Sequence, residues 1–302
     1  MSHELVIVGG GPAGVSAALW ARSLGLTALV LEGEARAGGQ LHHIHFPLAN
    51  LPGVAGRDGP ALAATLVAQL DGAGIEVRYE SLAVELDPES PAVRTAAGDR
   101  FPASAVLVAT GVRRRRLDVP GEAALEGRGV SWSATQDRAR FAGQEVVVVG
   151  GGDGAYENAL LLVEVGCTVT LVVRGRPRAR GDFRRRVAAC PGIEVLEGMH
   201  VTAVLGEERV RAVRLEGPRG ALERSAAGLV VKVGVIPNSE WCAKVLDHDR
   251  DGYILVDRRS ATSRPRVWAA GDVTGPSPAA VAVAIGHGAL AGAAIRATLR
   301  GD

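Results

Sequence analysis

The sequence predicts an α/β protein that carries two separate βαβ units, each on a parallel sheet. Two observations lead to that class: an internal repeat at a fixed offset, and a glycine turn at the same place in both copies. Residues 5–32 read LVIVGGGPAGVSAALWARSLGLTALVLE and residues 146–173 read VVVVGGGDGAYENALLLVEVGCTVTLVV, a gapless offset of 141. Each copy runs through a β-branched apolar stretch, glycines, an Ala/Leu-rich helix, a Gly stop and a second apolar stretch. Apolar strands without alternation, joined by a helix, belong to a parallel pair covered on both faces. An offset of 141 residues is too long for a solenoid repeat. The copies therefore read as two Rossmann-like dinucleotide-binding domains.

The first turn is Gly9-x-Gly11-x-x-Gly14. Gly9 permits the tight strand-to-helix turn, Gly11 lets a pyrophosphate approach bare backbone, and Gly14 lets the helix sit close on the sheet. The helix N-terminus then offers N–H donors and a partial positive charge to the phosphate. Glu32 follows 18 residues after Gly14, where a carboxylate accepts the hydrogen bonds of an adenosine ribose. The second turn is Gly150-x-Gly152-x-x-Ala155, and its counterpart of Glu32 is Val173. An arginine series follows at Arg174, Arg176, Arg178 and Arg180. Without the acid, and with a guanidinium at Arg174, this site is expected to favour a 2′-phosphorylated nucleotide, NADPH, over NADH. The seven arginines between 174 and 186 also fit a solvated face.

Further elements follow in order. His42, His43 and His45 form a cluster, but no nearby Cys or carboxylate completes a ligand set, so they read as loop residues and no metal is expected. Residues 60–74 have helical periodicity ending on Gly, and IEVRYE reads as a strand. Residues 105–111 form a buried strand that ends at Gly111, returns to the first sheet and marks the crossover to the second domain. Arg113 to Arg116 sit beside that crossover, either as a solvated hinge surface or as a docking patch for phosphate or an acidic electron carrier. Val267 to Asp272 is a strand ending in Gly271-Asp272 ahead of an Ala-rich helix. Asp272 is expected to cap that helix and to hold a ribityl hydroxyl. The apolar stretch 279–295 is interrupted by Gly286-His287-Gly288 and reads as a buried helix rather than a membrane span.

Composition narrows the class of protein. With 34 basic and 33 acidic residues, the formal net charge of +1 provides no pull toward nucleic acid or a membrane surface. Cys167, Cys190 and Cys242 are the only cysteines, and none forms a CxxC, so a metal knuckle or vicinal redox pair is absent from the sequence. Sparse, odd cysteines and an N-terminus without a basic leader point to the cytoplasm.

In order along the chain stand GGGPAG at 9–14, GGQL at 38–41, NLPG at 50–53, ATG at 109–111, GRGVS at 127–131, GGGDGA at 150–155, VGVIPN at 233–238 and AAGD at 269–272. With these pieces the chain resembles the low-molecular-weight thioredoxin reductases and the related ferredoxin/flavodoxin–NADP reductases of thioredoxin-reductase type. The resemblance implies an NADPH domain inserted into a split FAD domain, bounded at 1–114, 115–233 and 234–302, and a homodimer. By the same resemblance, Gly9, Gly11, Pro12, Ala13, Gly14, Glu32, Gly39, Gln40, Asn50, Gly111, Gly271 and Asp272 would contact FAD. Gly150, Gly152, Asp153, Gly154, Ala155, Arg174 and Arg178 would contact NADPH.

The chain also departs from that family. Where a thioredoxin reductase places its redox Cys-x-x-Cys after a GRGVS-like run, this chain has Ser133 and Gln136. Serine forms no persistent thiolate-like partner for flavin and glutamine has no redox chemistry. The family's His-Arg-Arg run is Val173-Arg174-Gly175 here, and Ala279-Ala280-Val281 stands for its Arg-Gln-Ala. The ferredoxin-reductase branch also lacks the cysteines but carries a C-terminal aromatic extension that this chain, which stops at Asp302, is expected to lack. The expectation is an NAD(P)H oxidoreductase that moves electrons through FAD to a non-dithiol acceptor, a ferredoxin or flavodoxin among the candidates. The competing expectation is a flavin-bearing sensor with a vestigial NADPH site.

Overall fold

The computed structural model describes residues 3–301, apart from Phe46, Ala55 and Arg219. The chain divides into two compact units, Met1–Arg113 with Ile236–Asp302, and Arg114–Val235.

The first unit starts with the βαβ motif the repeat predicts. Strand β1 (His3–Val8), helix α1 (Pro12–Ser23) and strand β2 (Ala28–Leu31) follow one another. The strands are parallel with Leu5 opposite Ala28 and Val8 opposite Leu31. Helix α2 (Gly59–Gly72) is capped by Asp58, whose side chain accepts from Ala61 N at 2.9 Å, and leads to β3 (Glu76–Arg78), shorter than the predicted strand. Strands β4 (Ala83–Leu86), β5 (Ala92–Thr95) and β6 (Arg100–Val108) form a meander. Strand β6 serves two neighbours in turn. Arg100–Pro102 pair antiparallel with β5, while Ala103 onward pairs parallel with β1. It thus starts before residue 105 and ends at Val108, short of Gly111.

Strand β7 (Val112–Arg114) leads into the second unit, where β8 (Val130–Ser131), α3 (Ala134–Phe141) and β9 (Glu145–Val149) precede helix α4 (Asp153–Val163). Then come β10 (Thr168–Val173), α5 (Gly181–Ala188), β11 (Ile193–Glu197), the antiparallel trio β12 (His200–Leu205), β13 (Ala212–Gly217) and β14 (Gly220–Ser225), and β15 (Gly228–Val231). The parallel sheet has the order β11-β10-β9-β15-β8. Val146 faces Val169 and Val149 faces Val172, which is the register of β1 and β2 shifted by the 141 residues of the repeat. The same sequence pattern therefore yields the same pairing twice.

After β16 (Val235–Pro237), strand β17 (Val267–Ala269) returns to the first sheet and pairs parallel with β6 through Val267–Val106 and Ala269–Val108. The chain ends in helix α6 (Val281–Arg300). Asp272 corrects one expectation. It opens a three-residue 3-10 turn, Asp272–Thr274, and α6 starts at Val281 behind Ala280 with no side-chain cap. Pro276 and Pro278 stand between turn and helix, where prolines hinder any continuous helix.

Helix α6 is the one helix among the described residues long and apolar enough to cross a membrane by length and composition. It packs instead on α1 through glycines: a Cβ on Gly288 would lie 2.1 Å from Ala13 O, and one on Gly292 would lie 3.0 Å from Ala17 O. Close backbone approach of this kind requires residues without side chains.

Candidate functional site

In the first unit the chain turns from β1 into α1 through Gly9, at φ +105°. A Cβ there would meet Ala109 O at 2.5 Å, and one on Gly14 would meet Gly9 O at 1.9 Å. Both positions must be glycine for strand, turn and helix to close up. Gly11 differs, because a Cβ there would find nothing within 4 Å. The backbone lies open at Gly11, the N-cap of α1, which no side chain caps, and Pro12 opens the helix. An anion at this helix end finds backbone N–H donors and the positive end of the helix dipole.

Glu32 is 8% exposed. Its Oε2 accepts from Gly10 N at 2.8 Å and its Oε1 from Glu34 N at 2.9 Å. Each carboxylate oxygen keeps a second acceptor position, so the backbone orients Glu32 without exhausting it. Gly38 N closes the next loop on Gly10 O at 2.8 Å, which brings Gly39 within 3.4 Å of Gly11 Cα, measured from a Gly39 Cβ. Gly271 reaches the same turn, since its Cβ would sit 2.7 Å from Ala13 Cβ. Asp272 follows, with Oδ1 buried and without a hydrogen-bond partner. Burial pushes its carboxyl above the usual range, with His287 pulling the other way.

An open backbone at Gly11, an oriented acid at Glu32 and an unpartnered buried oxygen at Asp272 fit the diphosphate, ribose and ribityl parts of FAD. Gly9, Gly11, Pro12, Ala13, Gly14, Glu32, Gly39 and Gly271 lie around this turn. Gln40 donates Nε2 to Val112 O at 2.8 Å, which leaves its Oε1 and second N–H available. Asn50 is exposed on a turn, and Gly111, at φ +64°, has open space around its Cα.

The second unit repeats this construction. A Cβ on Gly150, at φ +145°, would lie 2.2 Å from Lys232 O, while Gly152, the N-cap of α4, has nothing within 4 Å. Gly151 O accepts from Arg178 N at 2.7 Å and Ala179 N at 3.0 Å, as Gly10 O does from Gly38. Val173 Cγ1 stands 3.1 Å from a Cβ on Gly151, in the place where Glu32 Oε2 stands 2.9 Å from one on Gly10. An apolar group thus stands where the first unit has a carboxylate. Asp153 is occupied as a clamp, accepting Arg180 N at 2.7 Å and pairing with Arg180 Nε at 2.8 Å. Arg174 and Arg178 are exposed, Gly154 lies in the first turn of α4 and Ala155 is buried beside Gly150.

The arginine block divides. Arg113 is bound by Asn238 and Glu240. Arg116 pairs with Glu126 at 2.7 Å and lies 5.6 Å from the ring of Trp132, whose Nε1 donates to Glu126 at 3.1 Å. Two of the four charges are therefore neutralised where they stand. Arg114 is half-buried and stands out in the sequence only as part of the arginine block. Lys232 lies in no motif, and its one signal in the sequence is that it is one of two lysines in the chain. Among the described residues, no three His, Cys, Asp or Glu side chains are grouped to hold a metal.

Residues 3–288 match the family model described as pyridine nucleotide-disulphide oxidoreductase. The thioredoxin reductase of Streptomyces coelicolor is 37% identical over 277 residues, covering 90% of this chain and 86% of that protein. The bifunctional thioredoxin reductase/thioredoxin of Mycobacterium leprae is 37% identical over 96% of this chain, which spans 64% of that protein's length. The crystal structure of Lactococcus lactis thioredoxin reductase superposes with a TM-score of 0.83 at 30% identity, covering 99% of this chain and all of that one. The chain belongs to the pyridine nucleotide-disulphide oxidoreductase family and has the thioredoxin-reductase fold.

Proposed function

We propose that this oxidoreductase takes hydride from NADPH and delivers electrons to an acceptor without a dithiol of its own. The observation that carries this is the stretch where the family's cysteines would stand. Ser133 precedes α3 as its N-cap and Gln136 is exposed in its first turn. Ser131 Oγ donates to Asp137 Oδ2 at 2.7 Å and accepts Ser133 N at 3.1 Å. The segment is held by hydroxyl and carboxylate hydrogen bonds, and none of these groups exchanges electrons.

The two buried thiols, Cys167 and Cys242, lie elsewhere and are poor nucleophiles. Cys242 is buried and its pKa is pushed up to about 12, with Sγ donating to Ser239 O at 3.2 Å. Cys167 is buried and raised as well, with Sγ 3.0 Å from Phe141 O. FAD, when bound, supplies hydride acceptance and electron release. The chain's own part is to hold it: Gly11 and the first turn of α1 for the diphosphate, Glu32 for the adenosine ribose, Asp272 for a ribityl hydroxyl. Gly152, the first turn of α4 and Arg174 do the same for NADPH. A homodimer in the cytoplasm belongs to the same proposal. Because Arg113 and Arg116 are paired, the block offers less charge to an acidic carrier than its sequence implies, and a small-molecule acceptor such as a quinone is preferred over ferredoxin or flavodoxin.

The test is anaerobic stopped-flow absorbance of the FAD-loaded protein. NADPH should bleach the flavin fast, NADH much more slowly, and reoxidation by a quinone should be rapid. Turnover of a thioredoxin disulfide at a comparable rate would overturn the proposal. Absence of bleaching by either nucleotide, with full reduction by dithionite, would favour the sensor reading.

A further inference from the structure

Lys232 stands directly after β15, beside the second glycine turn, and occupies the place of Ala109 in the first unit. Lys232 N donates to Val149 O and Ala109 N to Val8 O, both at 2.8 Å. The carbonyl oxygen of each closes on the first glycine of its turn. Where the first unit has a methyl group, the second has an ammonium on a long stem. That stem runs along the first turn of α4, with Cε 4.0 Å from a Cβ placed on Gly154.

Two features of this corner are unusual for charged groups. Lys232 and Arg114 are both half-buried, and each repels the other's charge. Among the described residues neither side chain makes a hydrogen bond or ion pair, and neither is among those with further partners. The neighbouring arginines behave differently, since Arg113 pairs with Glu240 and Arg116 with Glu126. Burial lowers the pKa of both cations, and Arg114 lowers that of Lys232 further. Glu157 on α4 faces Lys232 from a distance, as Glu126 and Asp137 face Arg114. Asp153, at the start of α4, is taken by Arg180. A half-buried ammonium without a hydrogen-bonded or ion-paired carboxylate is costly for the fold alone. An anion beside Lys232, at the N-terminus of α4, reverses that cost.

We propose that Lys232 binds the diphosphate of the dinucleotide at the second glycine turn. The assignment rests on reading that turn as the NADPH site, and it names a recognition residue that the glycine fingerprint does not contain. Because the diphosphate is common to NADPH and NADH, Lys232 supplies affinity for both. Arg174, by contrast, selects between them.

The test is calorimetric titration of the full-length FAD-loaded protein with NADP⁺ and with NAD⁺. Lys232→Met should raise both dissociation constants together, by about tenfold or more, while Lys232→Arg keeps wild-type affinity. Raising the pH from about 7.5 to about 10 should weaken binding to the wild type as the lowered lysine loses its proton, and leave Lys232→Arg flat. The melting temperature of Lys232→Met should be unchanged or higher, because the variant removes a half-buried cation without a partner. Unchanged affinity in Lys232→Met, loss confined to NADP⁺, or failure of Lys232→Arg to rescue overturns the proposal alone. A wild-type protein that binds neither nucleotide overturns the reading of the turn, and the proposal with it.

Discussion

Gly286 and Gly288 are two residues apart on α6, and alanine at each should move stability in opposite directions. Gly286 is exposed, and a Cβ there would find nothing within 4 Å. Its replacement removes the helix penalty of glycine and should stabilise by roughly 0.5–1 kcal/mol. Gly288 is buried, and its Cβ would lie 2.1 Å from Ala13 O, 2.9 Å from Ala13 C and 3.0 Å from Ser16 Cβ. The first of these is more than about 1 Å inside ordinary contact, and the atom it strikes is backbone, which cannot swing away. Even after the same gain in helix propensity, Gly288→Ala should destabilise by roughly 1–3 kcal/mol. For a unit of this size each kcal/mol is worth roughly 2–4 °C in melting temperature, so the two variants should be separated by several degrees. Ala13 lies in the first turn of α1, so Gly288→Ala should also lose flavin, while Gly286→Ala keeps it. Differential scanning calorimetry and the flavin-to-protein absorbance ratio after gel filtration read both effects. A Gly288→Ala protein that melts at or above wild type with full flavin would refute the packing argument.

Arg174→Ala should raise the KM for NADPH by roughly 10–150-fold, the equivalent of a charge-assisted contact of about 1.5–3 kcal/mol, and leave NADH untouched; steady-state kinetics with both nucleotides decide it, and equal effects would sink the assignment. Asp272→Ala should lower the FAD retained on purification, and full occupancy would remove its ribityl role. A ligand hydroxyl donating to Asp272 favours the charged carboxylate, whose pKa burial has raised, so FAD affinity should fall as the pH drops through that raised value and Asp272→Asn should be insensitive to pH. At about pH 8, iodoacetamide should label the half-buried Cys190 in the native protein. Cys242, with its pKa near 12, and the buried Cys167 should react only after unfolding; a Cys167→Ser/Cys190→Ser/Cys242→Ser protein should keep NADPH-driven flavin reduction at the wild-type rate.

The architecture was legible because the chain states it twice. Runs such as Val146–Val149 and Leu5–Val8 are buried on both faces, so apolarity without alternation means a parallel central strand wherever it occurs. Glycines at 9, 14 and 150 are dictated by backbone atoms 2.5 Å or less from a Cβ position, and that constraint acts through residue type alone. What a charged side chain does is different, because its role depends on what the fold brings near it. Arg113 to Arg116 look equivalent in sequence, yet two are neutralised by Glu240 and Glu126, which lie 127 and 10 residues away along the chain. Asp153 reads as a nucleotide contact, and the fold adds a second role by pairing it with Arg180. Asp272 reads as a helix cap, and prolines move the helix away from it. Lys232 carries no motif at all, and only its equivalence to Ala109 across the two units shows an ammonium placed at a glycine turn. By itself the sequence determined the two βαβ units, their register and the open glycine turns, since local sterics and burial set these. Tertiary structure alone decided which charges are spent and which remain for a ligand, because electrostatic pairing is set by distance in space and not along the chain.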